Sequence, residues 1–270
     1  MVIFKMIGQY KANVLLSIII NYMVAGSLGW FLAYDQWASL KQDIFNWLPF
    51  ALGIGTLFIS LFQLMARSVH FNGMALTTVA TKLSVLIPVI LASFIYQESL
   101  SLLQIIGLVL GLIAVWFISK PKPGIQINLI WILAIFLGSG LLDALLNHTV
   151  QRLIQDGSQV LFTSILFSIA GIIGLLISPI YIRKSKSTWG KKELLAGLIL
   201  GIPNYGSIYF LLKAIAGAGL SSVIVFPINN VGIVLFSALV GWLVFREKLS
   251  LPQWIGIGLA LICILLMSVT

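Results

Sequence analysis

Long apolar stretches separated by short polar ones follow one another along almost the whole chain. Nine of them contain about 18–25 residues, enough to cross the hydrocarbon core of a bilayer as helices. They cover approximately 12–33, 48–66, 73–96, 101–118, 125–147, 159–182, 193–213, 220–244 and 251–269. Since lipid offers no partner to an open strand edge, the pattern predicts an all-α integral membrane protein with nine complete transmembrane helices.

The composition agrees with this pattern and narrows the chemistry. Hydrophobic residues make up 60% of the 270 residues and charged residues only 9%, against roughly 25% charged in soluble proteins. No long polar segment is left for a soluble domain. The single cysteine, Cys263, lies inside an apolar stretch, which argues against disulfides and cysteine metal sites. We expect no cofactor and no metal.

One segment occurs twice in the chain. Residues 96–118 and 245–267 are identical at ten of 23 aligned positions, including the pairs Glu98/Glu247 and Gly107/Gly256. An odd number of predicted crossings separates the two copies, so they enter the membrane from opposite sides. This arrangement predicts two inverted-topology repeats, 1–119 and 125–270.

The positive charges lie mostly on one side of the predicted topology. Of the 16 Lys and Arg residues that give a net charge of +9, twelve fall on the side of the N-terminus, three on the other side and one inside a helix. Such a bias in short loops identifies the cytoplasmic side. The protein is therefore expected in the plasma membrane, with loops 67–72, 119–125 and 183–192 in the cytoplasm, and without a nucleic-acid partner.

The paired segments carry a resemblance to a known family. The pattern Glu-x-Leu-Ser-x-x-Gln-x-x-Gly, present from Glu98 and from Glu247, together with two five-helix halves, resembles the EamA-type transporters of the drug/metabolite transporter superfamily. The resemblance covers roughly residues 12–268. It implies ten helices in two inverted repeats and the transport of small metabolites. Residues 2–10 look like the tail of a first helix, so we expect the first repeat to be truncated.

Lys82 is the most informative polar residue inside a predicted helix. A charge at the centre of a transmembrane helix costs about 2.5–3.5 kcal/mol on insertion scales. Two interpretations remain open. Lys82, with Thr78 one turn earlier on the same face, either attracts an anionic substrate in a hydrated cavity or is a structural lysine paired with neighbouring helices.

Three asparagines lie at a similar depth. Counted at about 1.5 Å per residue, Asn21, Asn204 and Asn230 fall within roughly 7 Å of the depth of Lys82. Tyr205 follows Asn204 and the helix-breaking Pro203. We predict that these residues line the substrate site with Lys82 and Thr78, although buried asparagines also join helices and buried tyrosines also pack in cores.

Asp143 is the only acidic residue away from the ends of a predicted helix. It shares one helix face with Ser139 and Asn147 at i, i+4 spacing. Depth counting places it roughly 10 Å from Lys82 along the membrane normal. It is the candidate for proton coupling, with a structural role at the mouth of the site as the alternative.

Prolines and glycines predict local helix geometry. Interruptions of helices are expected at Pro88, Pro179, Pro203 and Pro227. Close helix packing is expected at the GxxxG pairs Gly107/Gly111 and Gly197/Gly201. Capping boxes are expected at Ser101/Gln104 and Ser250/Gln253.

These observations predict a secondary transporter that moves a small polar metabolite, anionic or zwitterionic, by alternating access. Its partners are the substrate and the lipid bilayer, and a homodimer is compatible with the sequence. A non-transporting scaffold protein is the first alternative. An intramembrane enzyme is the second, but the chain contains neither His-Glu-x-x-His nor Gly-x-Gly-Asp.

Overall fold

The computed structural model describes residues 13–34, 40–97, 100–118, 128–154, 159–185, 188–217, 222–243 and 250–268. Within them the chain forms nine helices: α1 Val14–Leu32, α2 Leu40–Leu83, α3 Leu86–Tyr96, α4 Leu102–Ile118, α5 Leu129–Arg152, α6 Gln159–Ser185, α7 Lys191–Gly217, α8 Ser222–Leu243 and α9 Leu251–Ser268. The predicted all-α fold is confirmed for these residues.

Most of these helices match the predicted apolar stretches. Seven helical stretches of the described residues are long and apolar enough to cross a membrane: Val14–Leu32, Ile44–Val69, Thr77–Ile95, Leu129–Arg152, Gln159–Arg183, Lys191–Gly217 and Ser222–Val240. The helices with the repeated segments have shorter apolar parts, Leu102–Phe117 and Leu251–Met267. The architecture is that of a multi-pass membrane protein, and nine crossings stay a prediction.

Several predicted features lie outside the described residues. These are Glu98, Glu247, the first-helix remnant 2–10 and the loop 119–125. The loop 183–192 is described in part, with α6 continuing to Ser185 and α7 beginning at Lys191. The cytoplasmic location of these loops stays a prediction.

α2 contains a reversal of chain direction although it is helical from Leu40 to Leu83. The hydroxyl oxygens of Ser68 and Thr77, nine residues apart, lie 2.7 Å from each other. In a straight helix about 13.5 Å of axial rise would separate these residues, so the axis must turn back between them. We call Ile44–Val69 arm 1 and residues 77–83 arm 2. The predicted loop 67–72 is wrong as a loop, because those residues are helical and the reversal lies between Ser68 and Thr77.

Pro88 explains the break between α2 and α3. Proline cannot donate to the carbonyl four residues earlier, and its ring clashes with that carbonyl. The affected oxygen belongs to Ser84, which instead accepts a 2.9 Å bond from the N–H of Ile87. Regular i→i−4 bonding resumes with Val89 and Val85 at 3.2 Å. Pro88 therefore lies in the first turn of α3, where a missing N–H is tolerated.

The other three prolines at which an interruption was predicted, Pro179, Pro203 and Pro227, lie inside uninterrupted helices, so those three predictions are wrong. Pro179 shows a physical reason. The carbonyl that it deprives of a partner is that of Leu175, and the Ser178 hydroxyl donates to it at 2.8 Å. A neighbouring serine can satisfy the carbonyl in this way and let a membrane helix continue.

The chain divides into two compact units that both draw on the two halves of the sequence. Unit 1 contains the described residues of 1–60 and 148–218, and unit 2 those of 61–147 and 219–270. Arm 1 contributes to both units, since the division falls after Ser60. The units therefore cut across the predicted repeats 1–119 and 125–270, which stay a prediction.

In unit 1, α1 packs against α6 and α7 through glycines. A Cβ at Gly197 or Gly201 of α7 would lie within 3.0 Å of the backbone oxygens of Ser17 or Asn21. The predicted close approach at this GxxxG pair is confirmed. Position numbers rise together along both helices, so α1 and α7 run parallel.

The N-terminus of α1 is held by hydrogen bonds within unit 1. Asn13 caps the helix by accepting from the N–H of Leu16 at 3.2 Å. Its own N–H donates at 2.8 Å to the carboxylate of Glu193, which is buried at the start of α7. Its amide donates at 3.2 Å to the hydroxyl of Tyr181. These bonds join α1, α6 and α7 at one membrane surface.

In unit 2, the helices of the repeated segments pack against each other. A Cβ at Gly107 would meet Leu266 and Met267, whereas one at Gly111 would meet Cys263 at 2.7 Å. Residue numbers rise along α4 while those of the facing residues on α9 fall, so the two helices run antiparallel. The close packing predicted at the GxxxG pair Gly107/Gly111 is confirmed.

The two predicted capping boxes differ in the structure. At the start of α4, the N–H of Ser101 donates to the Gln104 side chain at 2.9 Å, and the N–H of Gln104 donates to the Ser101 hydroxyl at 3.3 Å. At the start of α9 the N–H of Ser250 donates to the Gln253 side chain at 2.9 Å, and the Ser250 hydroxyl donates to the same oxygen at 3.0 Å. The box at α4 thus has both reciprocal bonds. The box at α9 has the bond from the backbone N–H of the serine to the glutamine side chain.

Candidate functional site

Lys82 lies in the last turn of α2, two residues before the break that Pro88 imposes. Its ammonium group donates a 2.9 Å hydrogen bond to the side-chain oxygen of Asn230 on α8. Lys82 is half-buried, and Asn230 is 5% exposed. The sequence predicted these two residues at similar depth, and the structure places them in direct contact within unit 2.

A small cavity adjoins the Lys82–Asn230 pair. The rest of its lining is apolar and comes from α4, α8 and the break between α2 and α3: Val85, Leu108, Gly111, Leu112, Val115, Pro227 and Val231. Its volume is about 10 Å³, room for about one water molecule. Ligand pockets for metabolites measure roughly 300–1,000 Å³, so this cavity in unit 2 is closed to a metabolite.

Hydroxyl side chains around Lys82 are largely used by the backbone. Thr81 donates to the carbonyl of Thr77 at 2.9 Å, and Ser84 donates to the carbonyl of Thr81 at 2.7 Å. Such bonds satisfy carbonyls near a helix end. Thr78, one turn before Lys82, is half-buried in the same arm. Its predicted contact with substrate stays a prediction.

The polar face of α5 points into unit 2. Ser139 is 6% exposed and Asn147 is 2% exposed. The Asn147 amide donates at 3.1 Å to the hydroxyl of Ser222 at the start of α8. Asp143, between them on the same face, is half-buried and attracts the Lys82 ammonium electrostatically.

The bond between Asn147 and Ser222 fixes how α5 lies along α8. The predicted topology has three crossings from α5 to α8, so it makes the two helices run in opposite directions. From Asn147 to Ser139 the chain rises about 12 Å, as it does from Ser222 to Asn230. Ser139 therefore lies near the level of Asn230, and Asp143 lies about 6 Å from that level. Asp143 therefore lies about one helical turn from the level of Asn230.

Ser139 is the residue of this face that sequence reasoning did not assign to a site. Its hydroxyl oxygen is buried and has no hydrogen-bond partner among the described residues. A serine inside a helix usually bonds a carbonyl of the preceding turn, so this hydroxyl is available to a ligand. Its i, i+4 spacing from Asp143 was the signal that could have identified it.

The other predicted site residues lie in unit 1. Asn21 on α1 is 2% exposed, and Asn204 on α7 is half-buried. Within the described part of the chain, the side-chain oxygen of Asn21 and the amide nitrogen of Asn204 are buried without a hydrogen-bond partner. One is an acceptor and the other a donor, and unsatisfied buried groups of this kind need an explanation such as a ligand or water.

Tyr205 belongs to an aromatic cluster in unit 1. Its ring stacks on Tyr209 at a centroid distance of 6.0 Å and contacts Phe167 at 6.3 Å. Phe167 in turn stacks on the fully buried Tyr22 at 5.9 Å. Ring packing thus accounts for the burial of Tyr205, and its predicted substrate contact stays a prediction.

The polar residues do not suggest a metal centre. Within the described ranges, no group of three or more His, Cys, Asp or Glu side chains is arranged to hold a metal ion. Lys82 instead bonds the amide of Asn230 and is attracted by the carboxylate of Asp143, and groups of this kind suit hydrogen bonding to a polar organic ligand.

Comparison with known proteins gives three findings. The sequence model of the EamA-like transporter family matches residues 129–269, just over half of the chain. A Haemophilus influenzae protein described as uncharacterized is 27% identical over 258 residues, which cover 92% of this chain and 86% of that protein. A protein of known crystal structure has a TM-score of 0.71 at 16% identity, covering 94% of this chain and 86% of that one. At this identity the last likeness is one of fold.

Proposed function

Because the chain belongs to the EamA-like transporter family, we propose that it is a secondary transporter of a small anionic or zwitterionic metabolite. The membrane-embedded helices and the family support transport across a bilayer. The substrate class, alternating access and a location in the plasma membrane are parts of the proposal. So are the homodimer and the cytoplasmic side of residues 183–192.

The observation that carries the substrate class is the environment of Lys82. An ammonium group inside a membrane protein is expensive and usually serves a polar partner or pathway. It has three N–H donors, and the neutral amide of Asn230 accepts from one of them. A carboxylate or phosphate would accept a charge-assisted bond, which is roughly twice as strong as a neutral one.

Two features of unit 2 support alternating access. The repeated segments lie on α4 and α9, which pack antiparallel, as two inverted copies would. Lys82 lies beside a broken helix, and such breaks are typical of substrate sites in transporters. The cavity of about 10 Å³ beside it agrees with a closed state that must open for a metabolite.

The energy source is proposed to be an ion or counter-substrate gradient. The sequence contains no glycine-rich phosphate-binding loop of the type that ATP-driven transporters use. Asp143 is the proposed proton-coupling residue, because a membrane-embedded carboxylate can exchange a proton with each side in turn. Roles for Asn21, Asn204 and Tyr205 in substrate binding stay predictions.

The proposal is tested with the full chain reconstituted in proteoliposomes. Uptake is measured for two anions and their neutral analogues, lactate against lactamide and glycerol 3-phosphate against glycerol. We expect at least one anion to be transported in preference to its analogue. Lys82→Met should reduce that uptake at least about tenfold, equal to about 1.4 kcal/mol, and Lys82→Arg should retain part of it.

Lys213 provides the matched control. It is an exposed lysine on α7 whose ammonium lies 5.9 Å from the ring centroid of Tyr209. Lys213→Met removes one positive charge without touching unit 2 and should leave uptake unchanged. Equal uptake by the natural chain, Lys82→Met and Lys82→Arg would remove Lys82 from the mechanism. Equal uptake of anions and neutral analogues would overturn the anionic substrate class.

A further inference from the structure

We propose that an anion bound at Lys82 is taken up together with one proton, which Asp143 accepts, and that the Ser139 hydroxyl completes the anion site. The inference rests on the proposed function, since it assumes an anionic ligand at Lys82. It adds the stoichiometry of coupling and a ligand contact at Ser139.

Two hydrogen bonds place the three groups on neighbouring helices of unit 2. The bonds from Lys82 to Asn230 and from Asn147 to Ser222 align α8 with arm 2 and α5. In the predicted topology Ser139 then lies near the level of Asn230, and Asp143 lies about one turn, or 6 Å, from that level. A lysine side chain can cover such a distance. The buried hydroxyl of Ser139, without a partner in the described structure, can donate to one oxygen of the anion.

Charge balance in the apolar surroundings links the anion to the proton. In their ionised forms the Lys82 ammonium and the Asp143 carboxylate attract each other, and such a pair carries no net charge. An anion at Lys82 would leave the site with one net negative charge. Buried uncompensated charge is strongly unfavourable. Protonation of the Asp143 carboxylate removes this net negative charge, so anion binding and proton uptake favour each other.

The proton step needs no other reactant. One proton from water binds an oxygen of the Asp143 carboxylate when the anion binds the ammonium group of Lys82. On the other side of the membrane, release of the anion restores the attraction between ammonium and carboxylate, and the proton leaves. One monoanion and one proton then cross together without net charge movement.

Other titratable groups near Asp143 do not replace it. In the described helices of unit 2 the remaining ones are Arg67 and His70 on α2, Tyr96 on α3 and Cys263 on α9, with none on α4 or α8, and α5 carries His148 and Arg152 where it continues into unit 1. Arg67 lies over Trp131, 5.8 Å from its ring centroid, and Trp131 is twelve residues before Asp143 on α5, about 18 Å along the helix. Cys263 packs at Gly111. The Lys82 ammonium is the charged group whose attraction acts on the Asp143 carboxylate.

The experiment counts protons on binding. The purified full chain is titrated with lactate and with glycerol 3-phosphate by calorimetry in buffers of different ionisation enthalpy. For lactate, a monoanion throughout the titration, we expect uptake of about one proton and a dissociation constant that rises about tenfold per pH unit, as one-proton linkage requires. Glycerol 3-phosphate is mostly a dianion at neutral pH, so its binding should bring up to one further proton. Asp143→Asn should bind the same anion with no proton uptake and a flat pH profile.

Glu193→Gln is the matched control, because Glu193 is a buried carboxylate of unit 1 bonded to Asn13. It should keep both the proton uptake and the pH dependence. Ser139→Ala should weaken anion binding several-fold, by about 1 kcal/mol, with the proton count unchanged.

The outcomes separate the two proposals. If neither anion binds, the proposed function fails. If an anion binds to the natural chain without proton uptake, the coupling is wrong while the anion site stands. Retained proton uptake in Asp143→Asn also contradicts the coupling. If Asp143→Asn does not fold, the proton count of the natural chain and of Asp143→Glu, which should stay near one, decides the question.

Discussion

The ammonium nitrogen of Lys82 lies 2.9 Å from the side-chain oxygen of Asn230, a residue 148 positions later in the chain. The repeat offset of 149 residues aligns Lys82 with Val231, the direct neighbour of Asn230. Nearly corresponding positions of the two repeats therefore meet. Only one of them carries a charge, so the predicted symmetry of the repeats does not extend to the chemistry of the site.

Asn230→Ala should destabilise the protein because it removes the acceptor of the Lys82 ammonium. Hydrogen bonds to charged groups contribute about 1.5–3 kcal/mol, and we expect the free energy of unfolding to fall by that amount. The measurement is denaturant unfolding of the purified chain in detergent. Asn229→Ala, at the half-buried neighbouring position, is the control and should lower the free energy of unfolding by less. Equal losses in both variants would show that the bond adds nothing to stability.

Pro88→Ala should close the break between α2 and α3. An alanine N–H at position 88 can donate to the carbonyl of Ser84, which now accepts from Ile87. We expect slower amide exchange around residues 84–88 and roughly tenfold slower transport, equal to about 1.4 kcal/mol on the barrier. Pro179→Ala is the control, because the Leu175 carbonyl already has the Ser178 hydroxyl. Unchanged transport in Pro88→Ala would show that the break is a static kink.

Gly111→Ala should weaken the packing of α4 on α9. The new Cβ would lie 2.7 Å from the sulfur of Cys263 and 2.9 Å from a methyl carbon of Val231. Overpacking of this kind typically costs about 1–3 kcal/mol, which thermal unfolding in detergent can detect. Gly258→Ala, where a Cβ meets nothing within 4 Å, should be neutral or stabilising. Adding Cys263→Ala to Gly111→Ala should restore part of the loss, and no restoration would contradict this account.

The sequence predicted the helices well because hydrophobic length determines them directly. The stretches 12–33 and 101–118 differ by at most two residues from α1 and α4 at each end. The reversal in α2 was predicted close to where it lies, but polar residues around Arg67 suggested a loop, whereas the structure keeps residues 67–72 helical. Helix identity follows from local composition, but the point of reversal depends on contacts such as that between Ser68 and Thr77.

The candidate site was predicted only in part. Depth counting brought Lys82 and Asn230 to the same region because rise per residue is nearly constant in helices. It could not place Asp143 relative to Asn230, since depth from helix ends ignores how α5 is placed along α8. That placement comes from one bond, between Asn147 and Ser222. Which prolines interrupt helices also depended on neighbours, such as the serine before Pro179.

Each unit contains helices from both halves of the sequence, and this has a consequence for synthesis. α1 buries its Gly26 and Gly29 face against Ser168 and Ser164 of α6, more than 130 residues downstream. While the ribosome translates the first half, no partner for that face has been made. α1 must wait in the translocon or among lipids until α6 and α7 emerge. Two separately expressed halves should therefore depend on each other for insertion, and neither should resist membrane proteases alone.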